Sequence, residues 1–214
     1  EVGQNIGHHP ANIWFDGEWE HASCTNGVWT RTLDWDFDTI YDFIHSKKTL
    51  VANNNHQPIR DKEDIQLFER DLPADSNADA AFSKNQPLAR DRPVEQCDVI
   101  QKNVWGYKIA ERVFRSPEEV CAMICRCAAK DSNLLMNIGP DGSGRLPARA
   151  VEVLAGVGKW MRANGRAIYG TRGLGLAKNA DGSETARTVK DGVVYIIAIP
   201  KDSVAFPVVT AKGE

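Results

Sequence analysis

The sequence predicts an α/β protein with a parallel sheet, followed by the beginning of an antiparallel β module. Two observations predict the parallel sheet: a strand–helix–strand order within residues 11–55 and a second strand–helix unit within residues 133–165. A third predicts the β module, because helical periodicity ends near Gly170 and two strands around a tight turn follow. These strands are about half of those in a (β/α)8-type barrel, so we expect a partial barrel that belongs to a longer protein.

The composition excludes several classes of function. Of the 214 residues, 42% are apolar and 26% are charged, and the formal net charge is −3. The basic residues are scattered, which argues against nucleic acid as a partner. No apolar stretch approaches the roughly 18 residues needed to cross a bilayer, so we expect no membrane partner. The five cysteines do not have zinc-ligand spacing, and we expect buried, unligated thiols.

The N-terminal elements are predicted from the spacing of apolar residues. The first strand, residues 11–17, is apolar and ends in an acidic residue and a glycine turn. The polar stretch 18–35 is expected to be a loop, although tryptophans are unusually dense there. A helix is predicted over residues 36–46, and a second strand begins at Thr49. Four residues are expected to form the apolar face of this helix: Phe37, Ile40, Phe43 and Ile44.

The middle of the chain combines a long irregular segment with two helices. Residues 57–92 are rich in Asp, Asn, Pro and Arg and are predicted to be an excursion rather than an element. A capping box, Ser-Pro-Glu-Glu, starts a helix over residues 116–130. A third strand begins at Asn133, and a long amphipathic helix over residues 147–165 is expected to end at its final glycine. Four residues are expected to share one face of that helix: Val151, Leu154, Val157 and Met161.

The C-terminal segment has a different pattern. Residues 170–184 are predicted to be a glycine-rich connector, and the GxGxxK run within it is assigned to a linker rather than a nucleotide site. Two strands are predicted on either side of Asp191-Gly192, a pair typical of a tight hairpin turn. The loop at residues 139–150 lacks the acidic ligands at positions one and twelve of a calcium loop, so we predict a turn.

Asp16 is the strongest candidate for chemistry, because active sites of barrels lie at the C-terminal ends of the strands. Side-chain alternation puts Trp14 on the same side as Asp16, with Phe15 toward the helices. The alternative, a carboxylate that only caps the turn at Gly17, stays open at this point. A carboxylate among tryptophans favours sugar chemistry, and glycoside hydrolysis needs a second carboxyl. The long excursion offers five candidates, among which spacing does not choose: Asp61, Glu63, Asp64, Glu69 and Asp71.

Five sequence blocks carry a resemblance to a known family. They are WFDGEWE (14–20), EDIQLFERDLP (63–73), VEQCDVIQKNVWGY (94–107), NLLMNIGPDGSG (133–144) and GKWMRANGRAIYGT (158–171). In these blocks, which are distributed in the family's order over residues 12–172, the chain resembles the retaining α-L-fucosidases of glycoside hydrolase family 29. The resemblance implies that residues 1–172 are the C-terminal half of a (β/α)8-like catalytic domain. It also implies that residues 173–214 are a linker and the first strands of a C-terminal antiparallel β-sandwich domain.

The resemblance further implies a reaction. Terminal α-L-fucose would be hydrolysed from glycans by double displacement through a covalent glycosyl-enzyme. Asp16 matches the family's nucleophile, and Glu69 best matches its general acid/base, with Glu63 as the second choice. No metal or organic cofactor is implied, and the expected partner is a fucosylated glycan. Two alternatives stay open: a non-catalytic carbohydrate-binding fragment, and a retaining glycosidase for another sugar such as galactose.

Four further residues are implied as contacts of the sugar. Trp14 and Trp19 lie in the first block, where aromatic faces would pack on the pyranose. Trp105 matches a family tryptophan near the sugar pocket, and His56 follows the second predicted strand, where many members have an arginine nearby. Glu95 is expected to have a structural hydrogen-bonding role. An extracytoplasmic location is suggested by the family alone.

Overall fold

The computed structural model describes residues 11–17, 22–25, 28–31, 33–54, 60–70, 72, 88–89 and 91–212, with only the backbone for 22–25 and 28–31. The chain packs as two compact units, residues 1–95 and 96–214. The division at residue 172 that the resemblance implies stays a prediction. No helix in the described part of the chain is long and apolar enough to cross a membrane.

The described part of the first unit contains one helix among short strands. In chain order these are β1 (Asn12–Asp16), β2 (Ala22–Thr25), β3 (Val28–Arg31), α1 (Phe37–Ser46), β4 (Leu50–Asn54) and β5 (Gln66–Glu69). Strands β1 and β4 pair in parallel, from Asn12 opposite Leu50 to Asp16 opposite Asn54. Just before β5, Ile65 forms a parallel bridge with Ala52 of β4. The predicted strand–helix–strand order is confirmed, and the carboxyl ends of β1 and β4 lie at the same edge.

Helix α1 packs on β1 through an aromatic stripe. Phe37, Tyr41 and Ile44 are spaced i, i+4 and i+7 and therefore share one face, on which Tyr41 and Ile44 are buried. Phe15 contacts the rings of Phe37 and Tyr41, with centroids 5.9 and 5.7 Å apart, so it faces the helix as alternation predicts. The prediction that Phe43 belongs to this face is wrong, since its side chain is 64% exposed. Successive helical residues point about 100° apart, and Ile44 takes the inner position.

Two elements of the first unit lie where the sequence predicts none. Strands β2 and β3 form an antiparallel hairpin, from Ala22 opposite Arg31 to Thr25 opposite Val28, within the stretch predicted to be a loop. Strand β5 lies within the long excursion predicted over residues 57–92. Both differences have the same cause, because a four-residue strand among polar residues is too short to show a periodic pattern.

The second unit contains two helices and most of the β structure. Strand β6 (Val94–Val99), which the sequence did not predict, runs across the division between the units. The elements after it are α2 (Pro117–Ala129), β7 (Ser132–Asn137), α3 (Ala148–Asn164), β8 (Arg172–Lys178), β9 (Glu184–Lys190), β10 (Val193–Ile199) and β11 (Val208–Lys212). Strands β6 and β7 are neighbours in one sheet.

Helix α2 begins at the predicted capping box. The Ser116 hydroxyl accepts the backbone N–H of Glu119 at 3.1 Å, and the Glu119 carboxylate accepts the backbone N–H of Ser116 at 2.7 Å. The prediction of buried thiols is confirmed for the four cysteines whose side chains are described: Cys97, Cys121, Cys125 and Cys127. Burial raises the pKa of Cys121 to about 12, so this thiol is protonated at neutral pH.

Helix α3 packs on the core through three of the four predicted residues, since Val157 is buried and Leu154 and Met161 are partly buried against the core. The buried residues are Ala150, Val153, Val157 and Trp160, whereas Val151 is 49% exposed. The large Trp160 ring, whose Nε1 donates to the backbone carbonyl of Pro207 at 2.9 Å, also lies in the core. The predicted stop at Gly165 is confirmed, since the α-helix ends at Asn164 with Gly165 as its C-cap; this glycine has a right-handed φ of −58° and begins a 3-10 turn.

The C-terminal strands form one antiparallel sheet in the order β11-β10-β9-β8. The predicted hairpin is confirmed, with Asp191 and Gly192 at φ values of 50° and 75°, as a two-residue hairpin turn requires. The prediction of a linker at residues 173–178 is wrong, because these residues belong to β8. The pairing of β8 with β9 shifts between Gly173 and Gly175, and this irregularity hides the strand pattern. Side chains of β9 and β10 share one core with α2 and α3.

Candidate active site

Two parallel strands bring polar side chains together at their carboxyl ends. Asp16 is the last residue of β1, and its register partner Asn54 is the last residue of β4. Asp16 is exposed, and Gly17 after it has a φ of 88°, a conformation that favours glycine. Asn54 is only 4% exposed. The end of β1 therefore presents an accessible carboxylate beside a buried amide.

Glu69 reaches the same amide from the end of β5. Asn54 Nδ2 donates to Asp16 Oδ1 at 3.2 Å and to Glu69 Oε2 at 3.3 Å. The side chain of Glu69 is 23% exposed, and its other oxygen lies 3.9 Å from Arg70 Nε. Arg70 has a φ of 66°, so the chain turns sharply directly after Glu69. The structure thus brings together Asp16 and Glu69, the two carboxyls that the resemblance implies.

The opposite face of β4 leads into a buried polar network. Asn53 Nδ2 donates to the Tyr41 hydroxyl at 2.7 Å, and that hydroxyl donates to Glu63 Oε1 at 3.1 Å. Glu63 is 2% exposed and accepts from both the backbone N–H and the guanidinium of Arg60, at 2.9 and 3.1 Å. Burial raises the pKa of Glu63, although the hydrogen bonds and charge of Arg60 oppose this shift. Glu63, the second choice for the acid/base, is therefore hydrogen-bonded to helix α1 through Tyr41.

The indole ring of Trp14 is hydrogen-bonded to the carboxyl group of Glu95. Its Nε1 donates to Glu95 Oε1 at 3.3 Å, and both side chains are half-buried. Burial raises the pKa of Glu95, and the hydrogen bond from Trp14 opposes that shift. This contact is the hydrogen-bonding role expected of Glu95, and it restricts rotation of the indole ring.

Of the three remaining predicted sugar contacts, the structure describes one. Trp105, in the second unit, is 38% exposed, and its backbone carbonyl accepts from the Asn137 amide. The turn beside it is close-packed, because a Cβ added at Gly139 would overlap the backbone nitrogen of Tyr107. Trp19 and His56 lie outside the described residues. Among the described side chains, no group of three His, Cys, Asp or Glu is arranged to hold a metal ion.

Asn54 is the site residue that sequence reasoning missed. In the run Asn53-Asn54-Asn55, an asparagine after a strand is typical of a turn and carries no signal of its own. The available signal is its place in the sheet, since pairing β4 with β1 puts the last residues of the two strands side by side.

Comparison with known proteins gives a consistent result. Residues 6–166 match the family model described as Alpha-L-fucosidase. The alpha-L-fucosidase of Branchiostoma floridae is 27% identical over 196 residues, which is 90% of this chain and 40% of that protein. The tissue alpha-L-fucosidase of Homo sapiens is 29% identical over 192 residues, or 88% of this chain and 38% of that protein. The structure of alpha-L-fucosidase isoenzyme 1 from Paenibacillus thiaminolyticus aligns with a TM-score of 0.60 at 28% identity, covering 77% of this chain and 38% of that one. The chain spans about two fifths of the length of these relatives.

Proposed function

Because this chain belongs to the α-L-fucosidase family, we propose that it forms part of a retaining exo-α-L-fucosidase that releases terminal α-L-fucose from glycans. One observation carries the proposal: Asp16 and Glu69 both accept a hydrogen bond from the single amide nitrogen of Asn54. Two oxygens that each accept from one amide nitrogen at about 3 Å lie no more than about 6 Å from each other. Retaining glycosidases have carboxyls about 5 to 5.5 Å apart, and inverting ones about 6.5 to 9.5 Å. The arrangement therefore supports a retaining pair.

The proposed reaction proceeds in two displacements. In the first, an oxygen of Asp16 bonds to the anomeric carbon, the bond from that carbon to the leaving oxygen breaks, and Glu69 donates its proton to the leaving oxygen. In the second, Glu69 takes a proton from water, the water oxygen bonds to the anomeric carbon, and the bond to Asp16 breaks. Two inversions at the same carbon give overall retention.

The choice of Glu69 over Glu63 as the acid/base has a structural reason. The carboxylate of Glu63 is buried and accepts hydrogen bonds from Tyr41 and Arg60. Glu69 is partly exposed and shares the Asn54 amide with Asp16. A proton donor to a glycan must reach the leaving oxygen, which favours the carboxyl beside the nucleophile.

The sugar contacts belong to the same proposal. Trp14 lies two residues before Asp16 on the same strand, and its bond to Glu95 fixes the ring for packing against a pyranose face. Trp19, His56 and Trp105 complete the proposed set on the strength of the family resemblance.

Release of nitrophenol from an aryl α-L-fucoside tests the proposal. We expect Asp16→Gly to lose at least about 10³-fold in kcat, because the attacking group is removed. Added azide should restore cleavage and yield a fucosyl azide. Asp36→Gly is the matched control: Asp36 is exposed and has a φ of 49° that glycine adopts readily, so its turnover should match the parent.

Three results would contradict the proposal. Full turnover in Asp16→Gly excludes Asp16 as the nucleophile. Binding of fucose without turnover by a cooperatively folded parent favours a carbohydrate-binding role for this chain. Faster cleavage of an aryl β-D-galactoside than of the α-L-fucoside would point to another sugar.

A further inference from the structure

We propose that Asn54 is a positioning residue that holds Asp16 and Glu69 at one separation through the two N–H bonds of a single side-chain amide. The two hydrogen bonds from Asn54 Nδ2, at 3.2 Å to Asp16 and 3.3 Å to Glu69, are observed in the structure. The chemical meaning of the inference rests on the proposed function, since it assigns the two carboxyls their roles.

The amide is held rigidly enough for this role. Asn54 is 4% exposed, so its side chain has little freedom to change rotamer. Its backbone is paired with Asp16 in the β1–β4 register. On the other face of the same strand end, Asn53 is tied to the Tyr41 hydroxyl at 2.7 Å. Both faces of the end of β4 are therefore fixed, and the direction of the Asn54 amide is fixed with them.

The Asn54 amide is a neutral donor, and it can interact with the negative charge both when that charge is on Asp16 and when it is on Glu69. Before the first displacement the negative charge is on Asp16, while Glu69 carries the proton it will donate. After that step Asp16 is an ester and Glu69 is the carboxylate. An amide with one N–H directed at each group can stabilise the charge in both stages without moving, which is the advantage of a preorganised site. It also separates two groups that would repel each other if both were ionised.

Nuclear magnetic resonance of the 15N-labelled chain tests the geometry without requiring turnover. The side-chain amide signals of Asn54 are assigned by triple-resonance experiments on the parent chain labelled with both 13C and 15N. We expect both Asp16→Asn and Glu69→Gln to shift these signals, because each changes an acceptor of the same NH2 group. If either substitution leaves them unmoved, the shared amide is overturned. Since these two variants retain Asn54, the test does not depend on the folding of an Asn54 variant.

Kinetics test the consequence for the reaction. We expect Asn54→Ala and Asn54→Asp to lower kcat by about 10- to 100-fold with KM changed less than about threefold, since positioning acts in the transition state. In Asn54→Asp the acidic limb of the pH–rate profile should also move to higher pH, because an added negative charge makes neighbouring carboxyls harder to ionise. Asn133→Asp, the same change at an exposed position of β7, should leave both the rate and the profile unchanged.

The outcomes separate this inference from the function it rests on. Loss of turnover in Asp16→Gly, together with parental rates and pH profiles in both Asn54 variants, overturns the positioning role and leaves the proposed function intact. Full turnover in Asp16→Gly overturns the proposed function, and the amide signals then decide whether the hydrogen-bonded arrangement exists. A purely structural Asn54 would lower the melting temperature without moving the pH profile, which also overturns the inference.

Discussion

Glu95 shows how one half-buried carboxyl can make stability depend on pH. Burial raises the pKa of Glu95, opposed by the hydrogen bond from Trp14. Between the ordinary value, about 4.3, and the raised one, the folded state binds more protons than the unfolded state. The contribution of Glu95 is therefore fully present at lower pH and is lost as pH rises through the raised pKa.

Replacing Glu95 by glutamine should remove this dependence, since an amide oxygen can still accept from Trp14 but carries no charge. We expect Glu95→Gln to raise the melting temperature relative to the parent at pH 7 and to have little effect near pH 4. Thermal unfolding followed by circular dichroism at the two pH values measures the difference. An equal change at both values would mean that charge burial at Glu95 is not its cause. Glu152→Gln, on the exposed face of α3, controls for the loss of a negative charge.

The residues of the candidate site differ in how far sequence could identify them. Asp16 stands at a predicted strand end in the first of five ordered family blocks, and side-chain alternation correctly separates Trp14 from Phe15. Glu69 could be selected only through the family resemblance, because its short strand lies among many carboxylates. Asn54 required knowledge of which strands are neighbours, and such pairing is a property of the folded sheet rather than of a local pattern.

The contact between α2 and α3 depends on a glycine. A Cβ added at Gly156 would lie 2.7 Å from Cγ of Pro117, at the start of α2. At Gly158, on the same helix, the nearest atom to an added Cβ is the flexible guanidinium of Arg162, at 3.6 Å. Alanine is favoured over glycine by up to about 1 kcal/mol within a helix, so the two positions separate helix propensity from packing.

We expect Gly158→Ala to stabilise the chain by about 0.5 to 1 kcal/mol and Gly156→Ala to destabilise it by about 1 to 3 kcal/mol, because the rigid proline ring must move. Urea unfolding of the two variants beside the parent measures both values. Stabilisation by Gly156→Ala would show that the helices are not packed this closely.

Elements with strong local signals were predictable, and elements that depend on partners were not. The capping box of α2 and the Asp191-Gly192 hairpin are encoded within a few residues, and both are confirmed. In helix α3 the spacing of apolar residues identified Val157 but not Trp160, which is buried in one cluster with residues of a sheet that is distant in sequence. Strand β8 was mistaken for a linker because its glycines suggest a loop. Gly173 packs against the carbonyl of Ala129, where a side chain would not fit.

The second unit contains a core to which sequence-distant elements contribute. Tyr195, Ile197 and Ile199 of β10 are buried in the same cluster as residues of α2 and α3. A chain that ends at residue 172 would leave this apolar surface uncovered. We therefore expect residues 96–214 to unfold cooperatively and residues 96–172 to lack a cooperative transition. Calorimetry of the two fragments measures this, with dye binding to report exposed apolar surface. Cooperative unfolding of residues 96–172 would instead support a domain boundary at 172.

The division of the chain into two units was harder to predict from sequence than its individual elements. The parallel strand order of the first unit and the antiparallel sheet of the second follow the predicted α/β class. The division after residue 95 has no compositional marker, because β6 runs straight through it. A boundary within a strand is defined by packing on either side, which a linear pattern does not record.

The buried thiols allow local opening of the folded second unit to be measured by alkylation. Alkylating reagents attack thiolates, so a buried protonated thiol reacts only during an opening that exposes it. Cys121, Cys125 and Cys127 lie on α2, whereas Cys97 lies on β6. Mass spectrometry can follow each cysteine separately under native conditions. One common alkylation rate would mean that helix and strand open as a single unit. A faster rate at Cys97 would show that the strand opens first, and would give the free energy of that partial opening directly.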